Sequence, residues 1–533
     1  MPHRMNRSLL ILALIGVVLY AAVLLVQTAT DTSMEEETTR PKVSKEQAAA
    51  VARALIAERD PSFAVNQDAA VLHQSDKELS GYLQKYKLNA SYQETYGARY
   101  PIDYWQVAIG GGGAAPKYVV SVRMDNPEAI GWMRYGAAAS GQTTEAKRKE
   151  LAEGALRSAG YEPADFVLKP AEGTGLRYVY ESRKDRIGDA VLQVKIGLSG
   201  TQITGLSPVF QEPESFRVWL AQEEKAAQRM SLISPGLTLL MGLAALILAI
   251  IHRREITFSR GLLLTLIFAG LYALHAANSL PGALTDLEPD QLSGTLDPGI
   301  YLTLTYVLIA IMAIAMYLSL VTGDQMWRAR GWNAWPSMRE PSFGEEMFYG
   351  MGRGYLICLF ILGVQQVLFY IAGEAFDSFA ITDPTQSTLN LYRPWLFPLL
   401  AWMAGISEEV TYRLFGIAFF RKIVRFRFLA VLVPSIIWAL GHTGYTIYPS
   451  YTRLFEVTIL GLIFGYVFLK YGLITAIYAH ATMDIILMSL SLMVTEPTPG
   501  YIVLGLLYIA MPALIGYAAR AYFSRTRQVR WPA

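Results

Sequence analysis

The chain holds one cysteine in 533 residues, Cys358. That excludes an intramolecular disulfide framework and a cysteine-rich metal site. Cys358 lies in the apolar run "YLICLFILGV" and reads as inert packing. Charge of one sign is also missing: 46 Lys and Arg against 44 Asp and Glu leave a net +2, with no global signal for nucleic acid or an acidic partner. Histidine is scarce, with six in all, and no HExxH occurs. The glycine run at 110–113 is followed by neither a helix start nor Lys-Ser/Thr, so it reads as a hairpin loop and not as a phosphate cradle. Apolar residues are abundant instead: 53% of the chain is hydrophobic, too much for an ordinary soluble protein.

The start "MPHRMNR" followed by "SLLILALIGVVLYAAVLLV" has the outline of a signal peptide. The run is long enough for a hydrocarbon core of about 30 Å, and no small-x-small cleavage site follows. Residues 1–27 are therefore read as an uncleaved transmembrane anchor. Residues 28–230 differ in kind, with frequent charges, short apolar runs and recurring turn residues, and form a soluble domain of ordinary size. Two units repeat there. Ser44–Val65 is a capped amphipathic helix with Ala49, Ala52, Leu55 and Ile56 at helical spacing, and Thr143–Leu168 repeats the scheme, with Gly160 as a stop signal. Alternating strands follow each helix: "DYWQVAIG" with "KYVVSVRM", then "LRYVYES" with "AVLQVKIGL". The helix-plus-hairpin layout resembles tandem PepSY-type modules. No catalytic constellation stands in this half, and His73 reads as a lone surface residue.

From Leu232 onward the chain is a series of apolar runs, at about 232–251, 259–278, 300–321, 354–373, 393–420, 427–445, 454–470, 472–490 and 500–521. With the anchor, the expected fold is an all-α polytopic membrane protein of about ten transmembrane helices, with an α+β soluble extracytoplasmic domain between helices 1 and 2. Residues 231–345 hold helices 2–4 and a cytoplasmic loop, and 523–533 a cytoplasmic tail. The basic segments "MPHRMNR", "HRRE", "MWRARG", "RKIVRFR" and "RAYFSRTRQVR" belong inside, whereas "TDLEPDQLSGTLD" and "GEAFDSFAITD" belong outside. Both termini are then cytoplasmic.

Ionisable side chains at membrane depth cost about 2.5–3.5 kcal/mol each on insertion scales, so they face the protein interior and mark function. Three apolar segments carry them. In "LLAWMAGISEEVTYRLFGIAFF", Glu409 and Arg413 are four apart and can pair on one helical face, while Glu408 points about 100° away. In "SIIWALGHTGY", His442 follows Trp438 by four. In "ITAIYAHATMDIILM", His480 and Asp484 are four apart on one face, where the carboxylate can fix the imidazole tautomer. Each feature alone also fits a buried structural polar pair. Together, a glutamate, two histidines and an aspartate form a set suited to activating water.

"EEVTYR", "WALGH" and "HATMD" resemble the EExxxR, FxxxH and HxxxN/D motifs of the CAAX protease and bacteriocin-processing family of intramembrane proteases, in the same order on three apolar helices. Trp438 stands where Phe is usual, and Asp484 where eukaryotic prenyl proteases have Asn. The resemblance makes residues 346–522 a protease core. It implies that Glu408 is the base activating water, that His442 positions the water or stabilises the oxyanion, and that His480 and Asp484 complete the site. Glu409 and Arg413 would hold the glutamate helix in register. No cofactor is favoured; if a zinc ion were present, Glu408, His442 and His480 would hold it. The expected partners are the lipid bilayer and a peptide or membrane-anchored protein substrate, with no nucleic acid. Two other classes compete: a non-enzymatic immunity or regulatory protein whose outer domain binds a ligand, and a transporter, which would require inverted repeats that the sequence does not show.

Overall fold

The computed structural model describes residues 7–30, 40–63, 68–110, 118–136, 144–169, 177–285 and 298–528. The glycine loop beyond residue 110, most of "TDLEPDQLSGTLD", the first six residues and the last five lie outside the described residues.

Eight strands form one antiparallel sheet: β1 (Ala69–Ser75), β2 (Asp103–Ile109), β3 (Tyr118–Arg123), β4 (Ala129–Arg134), β5 (Phe166–Lys169), β6 (Arg177–Ile187), β7 (Ala190–Ser199) and β8 (Gln202–Gln211). Their order, β1-β2-β3-β4-β8-β7-β6-β5, is two four-stranded units joined by their last strands, with Trp132 opposite Leu206. A helix precedes each unit. Lys45–Arg59 starts at a capping box between Ser44 and Gln47, and Glu145–Ser158 is followed by Gly160 at φ +80°. Each unit thus has four strands, not the expected two. The extra ones give weak sequence signals: β5 has four residues, and β8 carries Gly205 and Pro208. Where the pattern is strict it sets the register. Ala190, Leu192, Val194, Ile196 and Leu198 of β7 are all buried, alternating with half-buried residues.

Among the described residues, seven helices are long and apolar enough to cross a membrane: Arg7–Ala29, Glu214–Ile251, Pro298–Arg328, Phe343–Phe376, Ser450–Tyr471, Leu473–Thr495 and Pro499–Ser524. Leu262–Asn278 and Arg427–Leu440 are shorter apolar helices. The run expected at 393–420 is not one α-helix. It is a 3-10 turn (Pro394–Leu399), an α-helix (Leu400–Glu408), a π-helix (Glu409–Ile417) and an α-helix (Ala418–Ile423). Pro394 and Pro398 remove backbone donors at its start. The 230/231 position falls inside the continuous helix Glu214–Ile251, which begins in the sheet domain's core at Phe216 and Leu220. Its 38 residues make a strut of about 57 Å.

The sheet domain is not a bead on a tether. Phe379, Ile381 and Tyr448 from the helical part pack into the core of its second unit, and Leu389 into that of its first. Asn390, fully buried, caps the edge of β1: its Oδ1 accepts from His73 N at 2.8 Å and its Nδ2 donates to His73 O at 2.9 Å. Lys45 donates to Leu389 O, and Glu223 accepts from the Ser450 backbone N and hydroxyl. His73 is therefore not a surface residue. It is 4% exposed, with Nε2 3.3 Å from Asp103 Oδ1, because a segment more than 300 positions away covers its strand.

Candidate active site

The two adjacent glutamates straddle the change from α to π geometry. Glu408 ends the α-helix and Glu409 opens a π-helix in which all nine residues are buried. Such i→i+5 turns occur chiefly as local devices at functional positions. Just before them, Gly405 lets this helix touch Leu473–Thr495: a Cβ there would sit 3.1 Å from Ala481 N. That close approach brings the glutamates to His480, next to Ala481.

Glu409 Oε1 lies 3.2 Å from Arg413 Nη1, with the two side chains 0% and 1% exposed. Arg413 is sandwiched by aromatic faces, its guanidinium carbon 4.2 Å from the Trp438 ring centroid and 5.3 Å from that of Phe464. The same Glu409 oxygen is 2.8 Å from His480 Nδ1. A carboxylate paired with arginine can only accept, so Nδ1 carries the proton and donates it to Glu409. The other ring nitrogen, Nε2, is 3.7 Å from Glu408 Oε2 and 3.5 Å from Asp484 Oδ2. The imidazole stacks on Phe464 at 4.8 Å and 24°, which fixes its plane. His480 thus bridges the two glutamates.

Trp438 donates its indole N–H to Glu408 Oε2. Phenylalanine at this position could not. His442 is held by a 2.9 Å hydrogen bond from Nδ1 to the Trp438 carbonyl, which leaves Nε2 as the acceptor. Its ring lies 4.9 Å from that of Trp438 and 6.0 Å from Tyr445, stacked on the latter at 27°. Among the described residues it makes no hydrogen bond to a carboxylate, and it joins the cluster through Trp438. Glu408, His480 and Asp484 are in direct contact range; His442 is one residue removed. The exposures differ usefully: the Glu408 and Asp484 side chains are 24% and 18% accessible, whereas Glu409 and His480 are at 0% and 4%.

The sequence reading overlooked a fourth polar group. Glu456 in Ser450–Tyr471 accepts from Gln365 at 3.0 Å and from Arg453, whose guanidinium lies 5.4 Å from the Tyr445 ring centroid. The rule of costly charges in apolar helices points to Glu456, which lies inside the expected 454–470 run, whereas Arg453 stands one position before it. As for zinc, among the described residues no group of three or more His, Cys, Asp or Glu side chains is disposed to hold a metal ion.

Residues 390–486 match the family described as type II CAAX prenyl endopeptidase Rce1-like. The sporulation-killing factor biosynthesis protein SkfC of Bacillus subtilis (strain 168) is 28% identical over 163 residues, which are 30% of this chain and 31% of that protein. The chain thus spans about a third of the length of this curated relative. No solved structure matches the chain. The segment bearing Glu408, His442, His480 and Asp484 is similar to the Rce1-like CAAX prenyl endopeptidases, as its three motifs implied.

Proposed function

We propose that the protein is an intramembrane endopeptidase that hydrolyses a peptide bond with water activated by Glu408. The observation that carries this reading is the His480 bridge: Nδ1 at 2.8 Å from Glu409 and Nε2 facing both Glu408 and Asp484. A purely structural ion pair would need Glu409 and Arg413 alone. Here a second, partly accessible carboxylate is aimed by an indole N–H and stands 3.7 Å from a histidine, within reach of the proton a general base takes.

In the reaction, Glu408 takes a proton from water, and the water oxygen bonds to the scissile carbonyl carbon. His442 positions that water: its Nε2, on the side of Tyr445, accepts from the water's second hydrogen. As the C–N bond breaks, the proton held by Glu408 passes to the leaving amine. Glu409 and Arg413 keep His480 in one tautomer throughout. No metal is assigned a part.

The basic loops place both termini in the cytoplasm and the sheet domain outside. The segment at 377–393 lies on the sheet domain's side of the helices, which supports that arrangement. The substrate is a peptide or a membrane-anchored protein. The relative's printed role in making a sporulation-killing factor fits a processing step of that kind. The test is digestion of a synthetic peptide mixture by the purified full-length protein, read by mass spectrometry. Wild type should cleave it and Glu408→Gln should not, at equal Tm. Equal cleavage by the two proteins refutes the assignment.

A further inference from the structure

A cavity of about 320 Å3 lies between the sheet domain and the helices, walled by His73 and Asp103 on one side and by Gln386, Tyr445, Ser491 and Thr495 on the other. A second cavity of about 660 Å3 shares Asp103 and Thr382 with it. Both fall in the range of about 300–1,000 Å3 typical of ligand sites.

Two observations tie this crevice to the reaction. Tyr445, in its wall, stacks on His442. Ser491 and Thr495 follow Asp484 by seven and eleven residues in one helix, so at 3.6 residues per turn they stand on the face that carries His480 and Asp484. One helical stripe therefore runs from the candidate site to the cavity. His73 and Asp103 stand together in the opposite wall, with Nε2 3.3 Å from Oδ1. The walls present hydroxyl, amide and carboxylate groups, which suit a peptide backbone, between apolar side chains that suit its side chains.

We propose that this crevice binds the extramembrane, extended segment of the polypeptide substrate and delivers it past Tyr445 to Glu408. The inference rests on the protease reading for the identity of the occupant. It makes the sheet domain half of a substrate site and not a separate binding module.

Cys358 is fully buried, so Ser491→Cys adds the one reactive thiol for a fluorophore. Labelled full-length protein carrying Glu408→Gln, which holds peptide without turnover, is titrated with the synthetic peptide mixture. A saturable fluorescence change is expected, weakened about tenfold or more by Gln386→Trp, which fills the cavity. Lauric acid should not reproduce it. If Ser491→Cys does not fold, Gln386→Cys carries the label and Ser491→Trp the filling. Absence of a saturable change, an unchanged affinity after filling, or saturation by lauric acid overturns the crevice, even where wild type cleaves the mixture. Binding that filling weakens, with no cleavage by wild type, upholds the crevice and overturns the protease reading instead.

Discussion

Trp438 gives its indole N–H to the carboxylate of Glu408 while the face of the same ring supports the Arg413 guanidinium. One side chain thereby aims the candidate base and seats the brace beside it. The two roles separate by mutation. Trp438→Phe retains an aromatic face but loses the donor. A hydrogen bond to a charged group is worth about 1.5–3 kcal/mol, so kcat on a cleaved peptide should fall about 10- to 100-fold with little change in Tm. Trp438→Ala should lower both. Full activity in Trp438→Phe would show that the hydrogen bond is incidental.

Breaking the Glu409–Arg413 pair should act first on folding. Both groups are fully buried, and removing one partner of such a pair costs about 3–5 kcal/mol. Arg413→Lys should not restore stability, because an ammonium cannot spread between two aromatic faces as the planar guanidinium does. Thermal unfolding in detergent measures this. Glu409 has a second task the sequence did not disclose, holding His480 Nδ1, so Glu409→Gln should also lower kcat in whatever fraction stays folded. A folded Glu409→Gln with wild-type kcat contradicts that task.

The sheet domain should lose stability as the pH rises. Burial, and then the charge of Asp76, holds the Glu212 carboxyl up to about 8, and burial holds that of Asp76 up to about 6. The unfolded chain releases these protons near 4.5 and 3.8, so the folded state binds more protons between about pH 4 and pH 8. Stability therefore falls with pH across that window and levels off above it. Glu212→Gln should flatten most of the slope in Tm against pH. An equally steep slope in the variant counts against Glu212 as its source.

Asn390→Ala should loosen the sheet domain without touching the candidate site. It removes both hydrogen bonds to the His73 main chain and one to Pro384 O, all buried, at about 1–3 kcal/mol for each group left unpaired. Amide exchange should speed up along β1 and in 384–390. Unchanged protection at His73 N would mean that this contact does not hold the two parts together.

Deleting residues 28–230 is a poor probe of specificity. It would uncover Phe379, Ile381, Leu389 and Tyr448, which the sheet domain buries. The truncated protein should aggregate in size-exclusion chromatography; a monodisperse and active one would mean that the helical part stands alone.

The amphipathic starts of the two sheet units, the apolar runs and the spacings Glu409–Arg413 and His480–Asp484 were legible in the sequence. They depend on interactions within a few residues, where helical and strand periods dictate which side chains share a face. The same local logic failed at 393–420, because a π-helix has no periodic signature in composition. It failed again for β1, β4, β5 and β8, which become strands only through their partners.

What only the tertiary structure decided are the contacts across long separations. Glu409 and His480 meet over 71 positions, and His73 and Asn390 over 317. The first contact depends on a glycine that lets two helices touch at Ala481, and the second on an apolar segment sinking into the core of the sheet domain. A one-dimensional pattern states which face of an element is apolar. It does not state which other face that element will meet, because packing is settled by shape and burial over the whole chain.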